Sequence, residues 1–286
     1  MKKVSICNSI KVLNVVFTSN HLARRLVIFL VFWIILFFGG MSFADVNKRV
    51  CFISSYHPGF PTFFQQIEGI KSILDKTNTV IDIEYMDTKR FPQRNQWTVF
   101  QNALSFKLNH INPYDAVIVA DDNALIFAIE QQKKLFMDTP IVFMGVNNID
   151  IALDQNENPQ TIGVVEAVSM VETSELMIKF RPAAKHIVAI VDNTPSGQGD
   201  LKKFYKAAEK FKSHEFSELS LADKTWPDFL KSLGAIDDDT CLLLLSAYKD
   251  KNSKTYLFEE SLKKIRKATE VPIFHLWYHG IGKGLL

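Results

Sequence analysis

Residues 49–61 read RVCFISSYHPGFP. Val50 to Ser54 is a short run of apolar and aromatic residues, which predicts a buried strand. It runs directly into a polar, aromatic loop punctuated by Pro58 and Pro61, and Phe63 to Asp75 then reads as a helix. In open α/β sheets, ligands bind just beyond the carboxyl ends of parallel strands. Ser54, Ser55, Tyr56 and His57 take that place if this is the first strand of such a sheet.

The same unit recurs along the chain. Val80 to Tyr85 alternates apolar and polar residues, as a half-covered edge strand does, and Gln96 to Asn109 has apolar residues at helical spacing. Ala116 to Ala120 (AVIVA) is a continuous run typical of a strand buried on both faces. Asp121-Asp122-Asn123 then reads as the cap of a helix from about Ala124 to Phe136. Ile141 to Met144 is the next buried strand, and the polar stretch from Asp150 to Gln160 reads as a linker. The pattern restarts with Thr161 to Glu166 as a short strand or crossover and Met170 to Phe180 as a helix. His186 to Val191, Phe216 to Leu221, Cys241 to Leu245 and Pro272 to Trp277 read as strands. Helices are expected over Asp200 to Lys212, Thr225 to Leu233 and Lys254 to Thr269, and Asp192 to Gly199 (DNTPSGQG) reads as a turn-rich loop. Such alternation predicts an α/β fold in two lobes, 45–150 and 151–286, each a parallel sheet flanked by helices.

Residues 1–44 differ in kind. Arg24-Arg25 precede an unbroken apolar run, Leu26 to Phe38, and Met41-Ser42-Phe43-Ala44 follows. A basic start, a short apolar core and a small-x-small ending predict a signal peptide cleaved after Ala44. Left uncleaved, the segment is just long enough to anchor the protein in the inner membrane. Either reading makes the body periplasmic or extracytoplasmic, touching the membrane only through this segment. The whole chain carries a formal net charge of +2. Removing the five bases of the leader leaves 28 basic against 31 acidic residues, a weakly acidic body that argues against nucleic acid as a partner. Cys51 and Cys241 each sit inside an apolar run and read as small buried hydrophobes rather than a disulfide. No small-residue box precedes Cys51, so a lipid anchor is not expected.

The residues that follow the strands are mostly small, polar or aromatic, a composition that suits a hydrogen-bonding cleft with aromatic walls. Ordinary turn chemistry produces part of it. Catalytic readings are weaker. Ser54, His57 and Asp121 name a conceivable triad, but no G-x-S-x-G elbow occurs. His275 and His279 lie four apart in a strand-like stretch, so zinc spacing is absent, and there is no glycine-rich phosphate loop. No catalytic residue, metal or cofactor is expected.

In order, the motifs ISSYHPGFP, YDAVIVADDNAL, TPIVFMGVNN, TIGVVE and KHIVAIVDNT resemble the periplasmic substrate-binding proteins of ABC transporters in the tryptophan/tyrosine-binding group. They are also similar to the extracytoplasmic sensor domains of histidine kinases and diguanylate cyclases. The resemblance runs from about Arg49 to the end. It implies a type I periplasmic-binding fold with a small-molecule ligand between the lobes, and no enzymatic activity. Its partner would be an ABC permease; in the alternative, the chain is a truncated sensor domain. Ser55, Tyr56, His57, Asp122, Asn123, Asn147, Glu166, Asp192 and Tyr248 are the implied ligand-binding residues. Glu166 or Asp192 would hold a ligand amine, and Asp122 and Asn123 would sit at a helix N-terminus suited to a carboxylate. Family members usually continue beyond the equivalent of Tyr278-His279-Gly280, so the resemblance further implies a C-terminus shortened relative to the family.

Overall fold

The computed structural model describes Phe29 and residues 47–286. The leader, Phe29 excepted, and Cys7 lie outside the described residues. Asn47–Leu286 form one compact unit. Among the described residues, no helix is long and apolar enough to cross a membrane.

The first sheet takes β1 (Lys48–Ser54), β2 (Thr79–Tyr85), β3 (Ala116–Ala120), β4 (Ile141–Val146) and β5 (Thr161–Val165) in the order β2-β1-β3-β4-β5. All four pairings are parallel. Alternate residues of β1 part company, as the period of two in a strand requires. Cys51 and Ile53 pack with Trp97 and Leu104 of α2 (Arg94–Leu108) and Leu125 and Phe127 of α3 (Asp121–Gln131). Phe52 faces the other way, onto Phe63 and Ile67 of α1 (Phe63–Leu74). Covering helices on both faces explain why β1 and β3 read as continuous apolar runs while the edge strand β2 alternates.

The second sheet repeats the plan with β6 (His186–Val191), β7 (Glu215–Ser220), β8 (Thr240–Leu244) and β9 (Ile273–His275), in the order β7-β6-β8-β9, again parallel throughout. Ile190, Leu242 and Leu244 meet α7 (Trp226–Leu233) and α8 (Phe258–Ala268) on one face. Ile187, Ala189 and Leu243 meet α5 (Met170–Phe180) and α6 (Pro195–Ala208) on the other. A short helix, α4 (Ile149–Leu153), lies between β4 and β5, and a 3-10 turn (Tyr278–Gly280) follows β9. The fold is therefore α/β with two parallel sheets, as the alternation predicted.

The helix expected from Lys254 starts at Phe258, the stretch expected as a linker over Asp150 to Gln160 holds part of α4, and three further local readings change. Thr161–Val165, expected beyond a lobe boundary at residue 150, pairs with β4 in the first sheet, so the passage between sheets comes after Val165. Asp121 and Asp122 lie inside the first turn of α3 and do not cap it; Ala120 holds the N-cap position, and Asp121 has φ +70°. The stretch read as a loop through Gly199 is already helix from Pro195. Thr194 caps α6, its Oγ1 accepting from Gly197 N at 3.3 Å with Pro195 in the first position. That threonine-proline pair is a helix-start signal, masked here by two glycines. Cys51 and Cys241 are both free and buried.

Gly199 serves a close approach. A Cβ there would stand 2.9 Å from Cα and N of Asn148, backbone atoms just past β4 of the other sheet. Gly199→Val should therefore push α6 away from the first lobe. The expected cost is about 1–3 kcal/mol, a fall in Tm of roughly 2–10 °C by calorimetry, with weakened binding at the cleft described next.

Candidate functional site

β1 is bordered by β2 on one side and β3 on the other, and β6 likewise by β7 and β8. Each sheet thus has a switch point where successive connections diverge and leave a crevice beyond the strands' carboxyl ends. The two crevices face one another across a single cavity of about 160 Å³. The first lobe contributes Tyr56, Phe60, Thr62, Gln66, Lys89, Asp121, Gly145 and Asn147. Glu166 stands at the passage between lobes. Ser196, Asp200, Leu245, Ser246, Tyr248, His275, Trp277 and His279 close the far side.

Of the nine residues expected from the sequence, Tyr56, Asn147, Glu166 and Tyr248 line this cavity. The other five have local duties around it. Ser55 is fully buried; its Oγ donates to Ala120 O at 2.8 Å and accepts from Ala124 N at 2.8 Å, tying β1 to the start of α3. His57 Nδ1 accepts from Gly59 N at 3.0 Å and shapes the loop. Asp122 Oδ1 accepts from Asn148 N at 2.9 Å, and Asn123 Nδ2 donates to Thr88 Oγ1 at 2.9 Å. Asp192 is 0% exposed. Its Oδ1 accepts from Thr194 N, Thr194 Oγ1 and Ser246 Oγ at 3.0, 2.6 and 2.8 Å, and its Oδ2 from Tyr248 N at 2.8 Å. A carboxylate so fully engaged organises the second-lobe loops behind the cavity wall.

The cavity's polar groups form a chain that crosses the lobes. Asn147 Nδ2 donates to Glu166 Oε2 at 2.9 Å and lies 3.3 Å from Asp200 Oδ2. Glu166 Oε1 accepts from Trp277 Nε1 at 2.7 Å. Lys203 Nζ donates to Asp200 Oδ1 and to the Glu166 carbonyl, each at 3.3 Å. Gln66 Nε2 reaches Asp121 Oδ2 at 3.4 Å, while Gln66 Oε1 is buried without a partner among the described residues. His275 Nδ1 donates to Leu244 O at 2.8 Å, which leaves its Nε2 as acceptor for His279 Nε2 at 3.3 Å. In that tautomer His279 Nδ1 is an acceptor, buried and unpaired among the described residues.

Burial dominates the electrostatics. Desolvation, reinforced by neighbouring Asp122, pushes the Asp121 carboxyl up to about 8. Desolvation raises Asp200 to about 6 against the opposing pull of Lys203. The same effect lowers both His275 and His279 to about 4, so the imidazole pair is neutral at pH 7. Lys89 is also lowered, burial outweighing the surrounding carboxylates. The cavity therefore holds desolvated groups that gain from a polar solute with complementary charge.

No protein-family model matches the sequence, and no curated protein does. Solved structures do match. A conserved domain protein from Vibrio cholerae superposes with a TM-score of 0.63 at 14% identity, covering 84% of this chain and 77% of that one. The shared feature is the α/β fold. A Streptococcus pneumonia ABC domain in complex with L-Trp gives a TM-score of 0.59 at 14% identity, covering 80% of this chain and 74% of that one. A ligand-free, open substrate-binding protein with adhesive properties from Clostridium difficile gives 0.51 at 17% identity, covering 79% and 73%.

Sequence reasoning missed Gln66, Lys89, Ser196 and Asp200. It searched only strand ends, whereas three of these come from helices α1 and α6 and Lys89 from the loop after β2. Ser196 and Asp200 are four apart, one face of a helix, and that spacing becomes readable once α6 is started at Pro195.

Proposed function

We propose that the protein is an exported solute-binding protein that captures a small molecule between its two lobes for ABC-type uptake. One observation carries this reading: the carboxyl ends of both parallel sheets converge on one cavity with aromatic walls and inward-facing polar groups. The solved neighbour named as a substrate-binding protein and the ABC domain in complex with L-Trp support it. A cavity near 150 Å³ holds a molecule about the size of benzene, so the fitting solute has roughly one ring or a short chain, with polar substituents. Tyr56, Asn147, Glu166 and Tyr248 are the contacts proposed first. Asp121 and Asp200, which face the cavity, replace Asp192 as candidates for holding a ligand amine. Ser54 Oγ accepts from Tyr56 N and His57 Nδ1 from Gly59 N, so serine and imidazole are engaged apart, which supports binding over the triad chemistry.

Fold alone does not give function, and the test is binding. A thermal-shift screen of amino acids, small aromatic acids, purines and sugars should contain a compound that raises Tm by mass action. Tyr248→Ala should weaken that compound by about tenfold or more, because it removes one aromatic wall. A screen with no hit, or a hit whose affinity is unchanged in Tyr248→Ala, contradicts the reading.

A further inference from the structure

Lys89 is the unusual group in this cavity. It comes from the first lobe, is 6% exposed, and reaches across to the second. Its Nζ stands 4.0 Å from the ring centroid of Tyr248 and 5.0 Å from that of Tyr56. Among the described residues one hydrogen bond holds its ammonium, to Ser196 Oγ at 3.2 Å. None of the ion pairs among the described residues includes it. Aromatic faces around an ammonium are the arrangement by which proteins recognise organic cations. Here Asp121 and Asp200 line the same cavity, adding acidic groups to the aromatic faces. Without Lys89, the site has the makings of a receptor for a free cation. With it, the place is already taken by the protein's own chain. An ammonium has three donors, and Ser196 uses one.

We propose that Lys89 sets the charge specificity of the aromatic cage: its ammonium fills the space between Tyr56 and Tyr248 as an internal cation, keeps organic cations out of that cage, and offers its free N–H donors to an anionic or neutral acceptor on the solute, while a solute amine is left to Asp121 and Asp200. This goes one step beyond the solute-binding reading and rests on it. Lys89→Met keeps most of the apolar stem and removes the charge, so it empties the cage while leaving the walls in place.

The test titrates purified wild-type protein and Lys89→Met with tetramethylammonium chloride, against sodium chloride at equal ionic strength, by calorimetry. Near-UV circular dichroism checks the fold, and Lys89→Gln replaces the methionine variant if that one fails to fold. The expected result is no saturable binding by wild type and saturable binding by the variant, at least tenfold tighter, lost again on adding Tyr248→Ala. Wild-type binding as tight as the variant's, or no binding by a folded variant, overturns the proposal. The probe is independent of the natural solute, which separates the two readings. A screen in which nothing binds wild type counts against solute binding and leaves the variant's gain readable. A folded variant without that gain, beside a wild type that binds a solute, counts against the cage alone.

Discussion

Asp192→Ala is expected to lower the Tm by on the order of 10 °C, the largest stability loss of any single change near the cavity. The carboxylate is fully buried and accepts from two backbone amides and two hydroxyls within 3.0 Å, with Lys249 N a further donor at 3.4 Å. Alanine leaves those donors without an acceptor in a dry interior, which costs about 3–5 kcal/mol in total. At roughly 2–4 °C per kcal/mol for a domain of this size, the shift is large enough for any calorimetric scan. The same change frees Ser246 and the Tyr248 backbone, so binding should fall with stability. Asp192→Asn retains one acceptor oxygen and should lose about half as much. A drop under 2 °C for the alanine variant would mean that Asp192 does not hold these loops.

Asp121→Asn should do the opposite and stabilise the empty protein, increasingly so as pH rises. The Asp121 carboxyl titrates near 8 in the folded protein, because burial and then Asp122 disfavour its charge, against about 3.9 unfolded. Between these values the native state holds a proton that the unfolded state has released, so stability falls as pH rises from about 4 to about 8 and is flat above. Asp200, titrating near 6, adds to the fall up to that pH. His275 and His279 work the other way: both titrate near 4, below an unfolded value of about 6.5, so they raise stability as pH climbs through that interval. These contributions oppose each other below pH 6.5, and above it the Asp121 loss stands out. The difference in Tm between Asp121→Asn and wild type isolates it, because the other groups are common to both. That difference should widen by several degrees between pH 5 and pH 8 and then stop changing. A constant difference across this range contradicts the placement of Asp121 as a desolvated carboxyl facing the cavity. The buried charge is destabilising where it stands, which fits a group retained for contact with a solute rather than for folding.

Much of the architecture is legible in the sequence because strand burial is written in consecutive apolar residues. Cys51-Phe52-Ile53, Val117-Ile118-Val119 and Leu242-Leu243-Leu244, short and bounded by turn residues, read as strands covered on both sides, and they occupy inner places in their sheets. Tyr56, Asn147 and Tyr248 line the cavity because a residue just past a strand's carboxyl end has few other places to be. The same rule also gathers residues that turn back into the protein. Ser55, Asp122 and Asp192 sit at strand ends too, yet each satisfies nearby backbone amides, and their polarity is spent on holding loops. A single sequence does not separate an aspartate that faces the cleft from its neighbour that does not, as Asp121 and Asp122 show. Asp121 enters α3 at φ +70°, and successive residues of a helix point about 100° apart, so only one of the pair faces the cavity. The contribution of Lys89 is equally invisible, since a Lys-Arg pair in a loop after an edge strand reads as solvated. Only the meeting of both lobes buries it between two tyrosines.

The most direct test of a solute held between the lobes is a co-crystal structure with the strongest compound from the thermal-shift screen. The expected result is density for the compound enclosed by Tyr56, Asn147, Tyr248 and Trp277, with a polar atom within hydrogen-bonding distance of Lys89 Nζ. Density for the compound at another surface, with this cavity holding only water, would contradict it.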